Sequence, residues 1–464
     1  MKSAKAILDL MSFFVQMVKN VLAAMESFEK THDARSLEAY VEAQNKALGL
    51  VIYETCWRIR QQERKVPKSL PCPCGHRQHH KGERSRTLIT VLGALNQDWR
   101  HYFYCDHCHA ATYWGDELRG ETDYSQLTED RIAFMGKDEA YEQASQALKH
   151  LGILEVAGST VRDVCKRLGA RLRATLDHQA AQQHCTEEIR AEEKPAGLGI
   201  SVDGVMLGRI DPQHRRRGTP AHKIRGKTAL KHFFHEVKTL VIFEFNQAGE
   251  AMRKTYQATQ ERVEDFREKV ALEAQKRGAE TALKLIFIGD GAAWVWKTAS
   301  ELFPNATQIL DWYHAMEHIW AVGRAKFGSK EKELWAWVNA RENELWHGKV
   351  DAVIEAIRNA STALGAPDES LSDTARAMDP RWIAFRNIGY FEDNRQRLNY
   401  PEYRKQGLPI GSGVVESACK HVVASRMKHA GMRWDEPGAE DILALRCLYL
   451  NDRWDSLWAQ KRAA

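Results

Sequence analysis

The stretch Gly199-Ile200-Ser201-Val202-Asp203-Gly204-Val205-Met206 reads as a buried β-strand that ends in an acid followed by glycine. Further along, Leu285-Ile286-Phe287-Ile288-Gly289-Asp290-Gly291 repeats the design. Ligands of α/β sheets bind where strands end, so an acid there can meet a substrate or ion, and a neighbouring glycine lets the backbone be approached closely. Asp-Gly also makes ordinary turns, but the same apolar run before both acids argues for a shared role. Working outward, apolar strands at 198–207, 237–245, 283–288 and 306–310 are separated by a basic loop, a long charged helix at about 250–280 and a short helix at 292–302. The resulting order is strand, strand, helix, strand, helix, strand, helix.

A third acid stands in Gly407-Leu-Pro-Ile-Gly-Ser-Gly-Val-Val-Glu416-Ser-Ala-Cys-Lys420. The glycines and Pro409 predict a turn, with Glu416 in the first turn of the helix that follows. Alone, such a Glu would only complement the helix dipole. Together with Asp203 and Asp290 it makes a hard oxygen site suited to Mg²⁺. Two such ions, about 3.5–4 Å apart, can activate a water and stabilise the leaving oxygen of a phosphodiester. Between these acids lies a mostly helical, Trp-rich stretch, 315–406.

With these residues in view, the chain resembles bacterial insertion-sequence transposases of the DDE type, the Kra-type group, distantly similar to Mutator-like elements. The resemblance is carried by Val202-Asp203-Gly204-Val205, Gly289-Asp290-Gly291-Ala292-Ala293-Trp294, Ile309-Leu310-Asp311-Trp312-Tyr313-His314 and Gly411-Ser412-Gly413-Val414-Val415-Glu416-Ser417. Arg426-Met427-Lys428 and Gly431-Met432-Arg433-Trp434 extend it. It implies a ribonuclease-H-like catalytic fold, with Asp203, Asp290 and Glu416 as the metal-binding triad and 315–406 as an insertion. It also implies that His314 sits beside the triad, against the scissile phosphate or a metal. His314-Ala-Met-Glu317-His318 matches the HxxEH pattern of zinc peptidases as well, but that chemistry leaves the settings of Asp203 and Asp290 unexplained. Gly226-Lys227-Thr228 lacks the earlier glycine of a Walker A loop, and Ile410 stands where a GxSxG elbow needs glycine.

Of nine cysteines, Cys72-Pro-Cys74 and Cys105-Asp-His-Cys108 form two tight pairs, and Cys56, Cys165, Cys185, Cys419 and Cys447 are scattered. Four thiolates close a structural zinc site, which stabilises a module too small for its own core. The first pair has one residue between its cysteines instead of two, so His76, His79, His80, His107 or His109 could replace one of its thiolates.

The chain has 464 residues, enough for about three folding units. At 44% apolar and 28% charged it is not a disordered or low-complexity chain. Net charge is only +5, so contacts to nucleic acid must rest on local clusters. Arg162, Lys166, Arg167, Arg171 and Arg173 lie on the second helix of a helix-turn-helix, after Ala140 to Leu148 and a break at Gly152. The loop Arg209 to Lys231, with Arg215, Arg216 and Arg217, leaves the strand of Asp203, while Lys420, Arg426 and Lys428 follow Glu416. At the N-terminus, Ile7, Met11, Phe14, Val18, Val21, Met25 and Phe28 form a helical seam fit for a coiled-coil dimer or for an ordinary core helix. A second helix is expected from Ser36 to Arg64. No stretch is apolar enough to span a bilayer.

The expected whole is a multidomain α+β protein. It has an N-terminal helical segment fit for dimerisation (1–66), a zinc-ribbon-like module (67–120) and a helix-turn-helix region (121–190). A ribonuclease-H-like α/β catalytic domain (195–314 and 407–464) follows, carrying a helical insertion (315–406). The resemblance implies a DNA transposase that binds terminal inverted repeats and target double-stranded DNA as a homodimer or higher oligomer. It would act in the bacterial cytoplasm, at the nucleoid, with two catalytic Mg²⁺, Mn²⁺ able to substitute, and structural zinc. The alternatives are a catalytically silent DNA-binding descendant and a Mg²⁺-dependent nuclease of the same fold.

Overall fold

A computed structural model describes residues 2–31, 33–97, 100–115, 122–181, 195–210 and 234–459. The chain divides into two compact units, Met1–Val164 and Cys165–Ala464.

In the first unit, α1 (Lys2–Thr31) and α2 (Ala34–Glu63) form a helical hairpin. The predicted seam divides between two faces. Val21 and Phe28 are half-buried with Phe13 and Met17, whereas Met11, Phe14, Val18 and Met25 are exposed. Six short strands follow: β1 (Ser69–Pro71), β2 (Arg77–Glu83), β3 (Arg86–Thr90), β4 (Gly93–Gln97), β5 (His101–Tyr104) and β6 (Ala111–Trp114). They make a sheet of order β1-β2-β5-β6 and a separate β3-β4 hairpin, whose Leu88 and Leu95 pack against Leu50, Tyr53 and Trp57 of α2. Three helices come next: α3 (Gln126–Gly136), capped by Ser125, α4 (Tyr141–His150), and α5 (Gly158–Ala181), which runs on into the second unit.

The second unit is built on a five-stranded sheet. Its strands are β7 (Gly197–Gly208), β8 (Phe234–Phe245), β9 (Ala251–Thr259), β10 (Leu285–Gly289) and β11 (Thr307–Leu310), in the order β11-β10-β7-β8-β9. β7, β10 and β11 are parallel; β8 and β9 are antiparallel to their neighbours. Helix α6 (Val263–Lys276) precedes β10, and α7 (Ala293–Leu302) links β10 to β11. The sequence places a long helix over 250–280, but 251–259 is the antiparallel edge strand β9, so the order has three consecutive strands before the first helix. Arg253 and Lys254 give this segment a helix-like charge density, but Arg253 is held by the Glu244 carboxylate of β8. Asn451 closes the outer edge: its Oδ1 accepts the Tyr256 amide at 2.7 Å and its Nδ2 donates to the Tyr256 carbonyl at 3.0 Å, so the edge is not open to further strand pairing.

After β11 come six helices: α8 (Trp312–Phe327), α9 (Glu331–Trp346), α10 (Val350–Leu364), α11 (Asp373–Met378), α12 (Pro380–Asp393) and α13 (Tyr400–Lys405). Their apolar faces join the sheet in one core, with Ile319, Val338, Ile357 and Phe391 fully buried beside Ile200, Phe243 and Ile288. The chain then returns to the sheet with α14 (Gly413–Ala418), prolonged by a π-helical stretch Cys419–Ala424, and continues through α15 (Glu436–Leu450) to a short helix α16 (Ser456–Ala459). Among the described residues no helix is long and apolar enough to cross a membrane.

Candidate active site and metal centres

The parallel register decides where the acids stand. Ser201 of β7 pairs with Ile288 of β10, and Gly289 of β10 pairs with Leu310 of β11. Continuing each ladder puts Asp203 level with Asp290 and Asp290 level with Asp311. Three adjacent parallel strands thus carry an aspartate at the same height on one edge, where α/β sheets bind ligands. Asp203 does not end its strand as its sequence suggests: β7 continues to Gly208 because β8 follows it throughout, whereas β10 pairs only as far as Ser201. The acid therefore marks the point where parallel pairing stops.

The two glycines beside the acids are each required by the protein's own packing. Gly291 has φ +103°, and a Cβ there would lie 2.5 Å from the Tyr390 ring. In β7, a Cβ on Gly204 would lie 2.2 Å from the Glu236 carboxylate.

Asp311 is fully buried and is the N-cap of α8. Its Oδ1 accepts the His314 amide at 2.7 Å and faces His314 Nδ1 at 3.1 Å, while its Oδ2 accepts the Ser412 amide. That second bond fixes the turn that opens α14, and so places Glu416. Ligand atoms of Asp311, His314 and Glu416 all lie within 4.8 Å of one another. Asp203, Asp290 and Glu416 do not form so tight a group, but they share one electrostatic field. Burial raises Asp203, and the nearby Asp290 charge adds to this. Burial likewise raises Glu416, with Asp311, Glu317 and Asp203 adding to it. Burial opposes ionisation of Asp311, yet the His314 and Ser412 hydrogen bonds hold it below the usual carboxylate range. His314, bonded to Asp311, is raised to about 9 and stands as a cation among the acids. This crowding of carboxylates, with Asp203 and Glu416 each raised by acidic neighbours, fits a hard divalent cation.

Two residues at this edge carry no recognisable sequence signal. Cys419, three residues after Glu416, directs its thiol to Asp203 Oδ2 at 3.4 Å, and the Gly204 amide donates to Asp203 Oδ1 at 2.6 Å, so both oxygens of that carboxylate are engaged. Tyr390 of α12 donates to the Asp290 carbonyl at 2.8 Å and stacks on His318 with ring centres 3.6 Å apart. His318 Nδ1 meets Asn387 Oδ1, so it turns away from the HxxEH arrangement toward α12.

In the first unit, Cys72, Cys74, Cys105 and Cys108 come together, with Cys72–Cys108 and Cys72–Cys74 sulfurs 3.4 Å apart and Cys74–Cys105 sulfurs 3.6 Å apart. Tetrahedral zinc, with Zn–S of about 2.3 Å, sets its sulfurs about 3.8 Å apart. The four thiols therefore fit zinc, and both cysteines of the short first pair belong to the set. Two hairpin tips present them: the Gly75 amide bonds the Cys72 carbonyl between β1 and β2, and the His109 amide bonds the Cys105 carbonyl between β5 and β6.

The basic residues separate into two kinds. Arg162 is exposed beside Asp163, and Lys420 and Lys428 are exposed. Arg167 is half-buried. Lys166 pairs with Asp435 at 2.7 Å, Arg171 donates to the Leu457 carbonyl at 2.9 Å, and Arg173 pairs with Asp441. Those three hold α5 to the C-terminal segment and do not form a free basic face; their partners lie too far along the sequence to be foreseen. Arg426 is also not a surface contact: it is 1% exposed, with its guanidinium over the buried Trp434 ring. Arg215, Arg216 and Arg217 lie outside the described residues. No protein-family model matches the chain, and no curated protein matches it.

Proposed function

We propose that the protein is a DNA transposase of the DDE type, with a ribonuclease-H-like catalytic domain, that binds element ends and catalyses Mg²⁺-dependent phosphodiester hydrolysis and strand transfer. The observation that carries the reading is the row Asp203, Asp290 and Asp311 on three adjacent strands, with Glu416 delivered beside it by the chain returning after six helices. The sheet order β11-β10-β7-β8-β9, with three antiparallel-linked strands before the first helix, supports a ribonuclease-H-like domain. Two Mg²⁺ ions, when bound, supply Lewis-acid activation of water and stabilisation of the leaving oxygen. Asp203, Asp290 and Glu416 are the residues that would hold them. Asp311 orients His314 and the turn before Glu416, and the His314 cation would offset the charge of the phosphate. Lys420 and Lys428 remain open to the DNA backbone, and the α4–α5 pair acts as a helix-turn-helix through Arg162 and Arg167. Zinc on the four cysteines supports the end-binding region. Two element ends must be held at once, so the working form is a multimer.

The test is a strand-transfer assay with DNA taken from both flanks of the reading frame, a target plasmid and Mg²⁺. Hydrolysis followed by joining is expected. Hydrolysis alone would make the protein a nuclease, and binding alone a silent DNA-binding descendant. Asp203→Asn, Asp290→Asn and Glu416→Gln should each abolish cleavage while duplex binding persists; a variant that still cleaves would remove its residue from the mechanism.

A further inference from the structure

The outer face of α1 carries Leu8, Met11, Val15, Val18, Leu22 and Met25, each between 51% and 63% exposed. Their steps of three and four place them at successive a and d positions of one heptad register, a strip about 26 Å long at 1.5 Å per residue. The opposite side of α1 is already used: Ala24 and Phe28 line a cleft with Leu37 and Tyr40 of α2. The outer strip is therefore not part of the hairpin's own packing.

We infer that a second copy of this chain docks on this strip, with the two α1 helices antiparallel about a two-fold axis between Val15 and Val18. Under that operation Leu8 meets Met25 of the second copy, Met11 meets Leu22, and Val15 meets Val18. Every pair is matched in size, and the interface is isologous, as two-fold contacts require. Charge points the same way. The e positions of this register are Lys5, Ser12, Lys19 and Glu26, and antiparallel pairing sets e against e, which brings the Lys5 position to Glu26 of the second copy. Parallel pairing sets e beside g, where Ile7, Phe14, Val21 and Phe28 stand, and forms no ion pair. A membrane surface is a poorer occupant, because Asp9, Gln16, Lys19, Asn20 and Glu26 beside the strip are mixed in charge, not rich in Lys and Arg.

The inference deepens the multimeric part of the proposed function but stands on α1 alone. A monomeric chain that still cleaves DNA in Mg²⁺ would end it and leave the catalytic reading intact. In the test, sedimentation equilibrium of the full chain should show a dimer. Val15→Glu with Val18→Glu should weaken association at least about 100-fold, since like charges then meet at the centre of an apolar seam. Circular dichroism and zinc content should stay at parental values. As a second approach that adds no charge, Val15→Cys chains mixed with Val18→Cys chains should form a new intermolecular disulfide on mild oxidation, above the level of the unsubstituted chain. Val15→Cys chains alone should not. A monomeric parent, a dimer indifferent to the glutamates, or crosslinking of Val15→Cys with itself would each overturn the antiparallel pairing.

Discussion

Replacing Asp311 with alanine should separate the positioning role of this carboxylate from direct catalysis. The side chain is fully buried and accepts two backbone amides, those of His314 and Ser412. Loss of the α8 cap removes about 1 kcal/mol. The Ser412 amide, itself in a buried residue, is left without an acceptor, which costs about 1–3 kcal/mol. Together these remove about 3 kcal/mol from the second unit, and at about 2–3 °C per kcal/mol its unfolding midpoint should fall by about 6–9 °C. The turn that places Glu416 loosens as well, so Mg²⁺-dependent cleavage should decline at temperatures where the variant remains folded. Asp311→Asn should recover part of the stability, because its amide oxygen can still accept one of the two amides. Differential scanning calorimetry and a single-turnover cleavage assay provide the two readouts. An alanine variant that melts within 1–2 °C of the parent, about the shift of 0.5 kcal/mol, would refute the coupling of β11 to the Glu416 turn.

Two further outcomes follow from other contacts. Gly291→Ala combines an unfavourable φ of +103° with a 2.5 Å approach to Tyr390, so it should destabilise the second unit by about 2–4 kcal/mol, and a variant as stable as the parent in urea would show that the turn after Asp290 is free to relax. Cys105→Ser should reduce metal content from about one zinc per chain and disorder the hairpin tips of β1–β2 and β5–β6; a metal-free chain with unchanged amide protection there would remove zinc from the module.

The sheet was legible wherever strands are buried on both faces. Leu198 to Val202, Leu240 to Phe243 and Leu285 to Ile288 are largely apolar runs of the kind a covered sheet produces, and each lies inside a strand. β9 was not legible because its sequence lacks a period-two apolar pattern, and its Arg253 side chain and Tyr256 backbone answer to Glu244 and Asn451, whose positions no local pattern reveals. Asp203, Asp290 and Glu416 could be marked individually as acids beside glycine-rich turns. That Asp311 completes the row depends on pairing of β10 with β11, which is a matter of register and not of composition. Cys419 reads in the sequence as a stray thiol, and only the turn of α14 carries it to Asp203. Charge was the least transferable signal: Lys166, Arg171 and Arg426 look the same in the sequence as Lys420 and Lys428, yet the first three are occupied within the fold. The seam of α1 is legible as helical, but its residues divide in the fold: Val21 and Phe28 are half-buried, whereas Met11, Phe14, Val18 and Met25 are exposed together with Leu8, Val15 and Leu22.

The bond between Asp311 and the Ser412 amide spans 101 residues, and beside it the Trp312 amide donates to the Ile410 carbonyl at 2.9 Å. The chain between these positions leaves the sheet edge and returns to it through one clasp. Closing a loop grows only slowly more costly with its length, so residues added at the outer turns of this excursion, away from Tyr390 and the shared core, would still leave Glu416 at the same spot. Changes at the clasp itself have no such freedom: altering Asp311 or Ser412 would shift Glu416 even if every helix beyond it stayed intact.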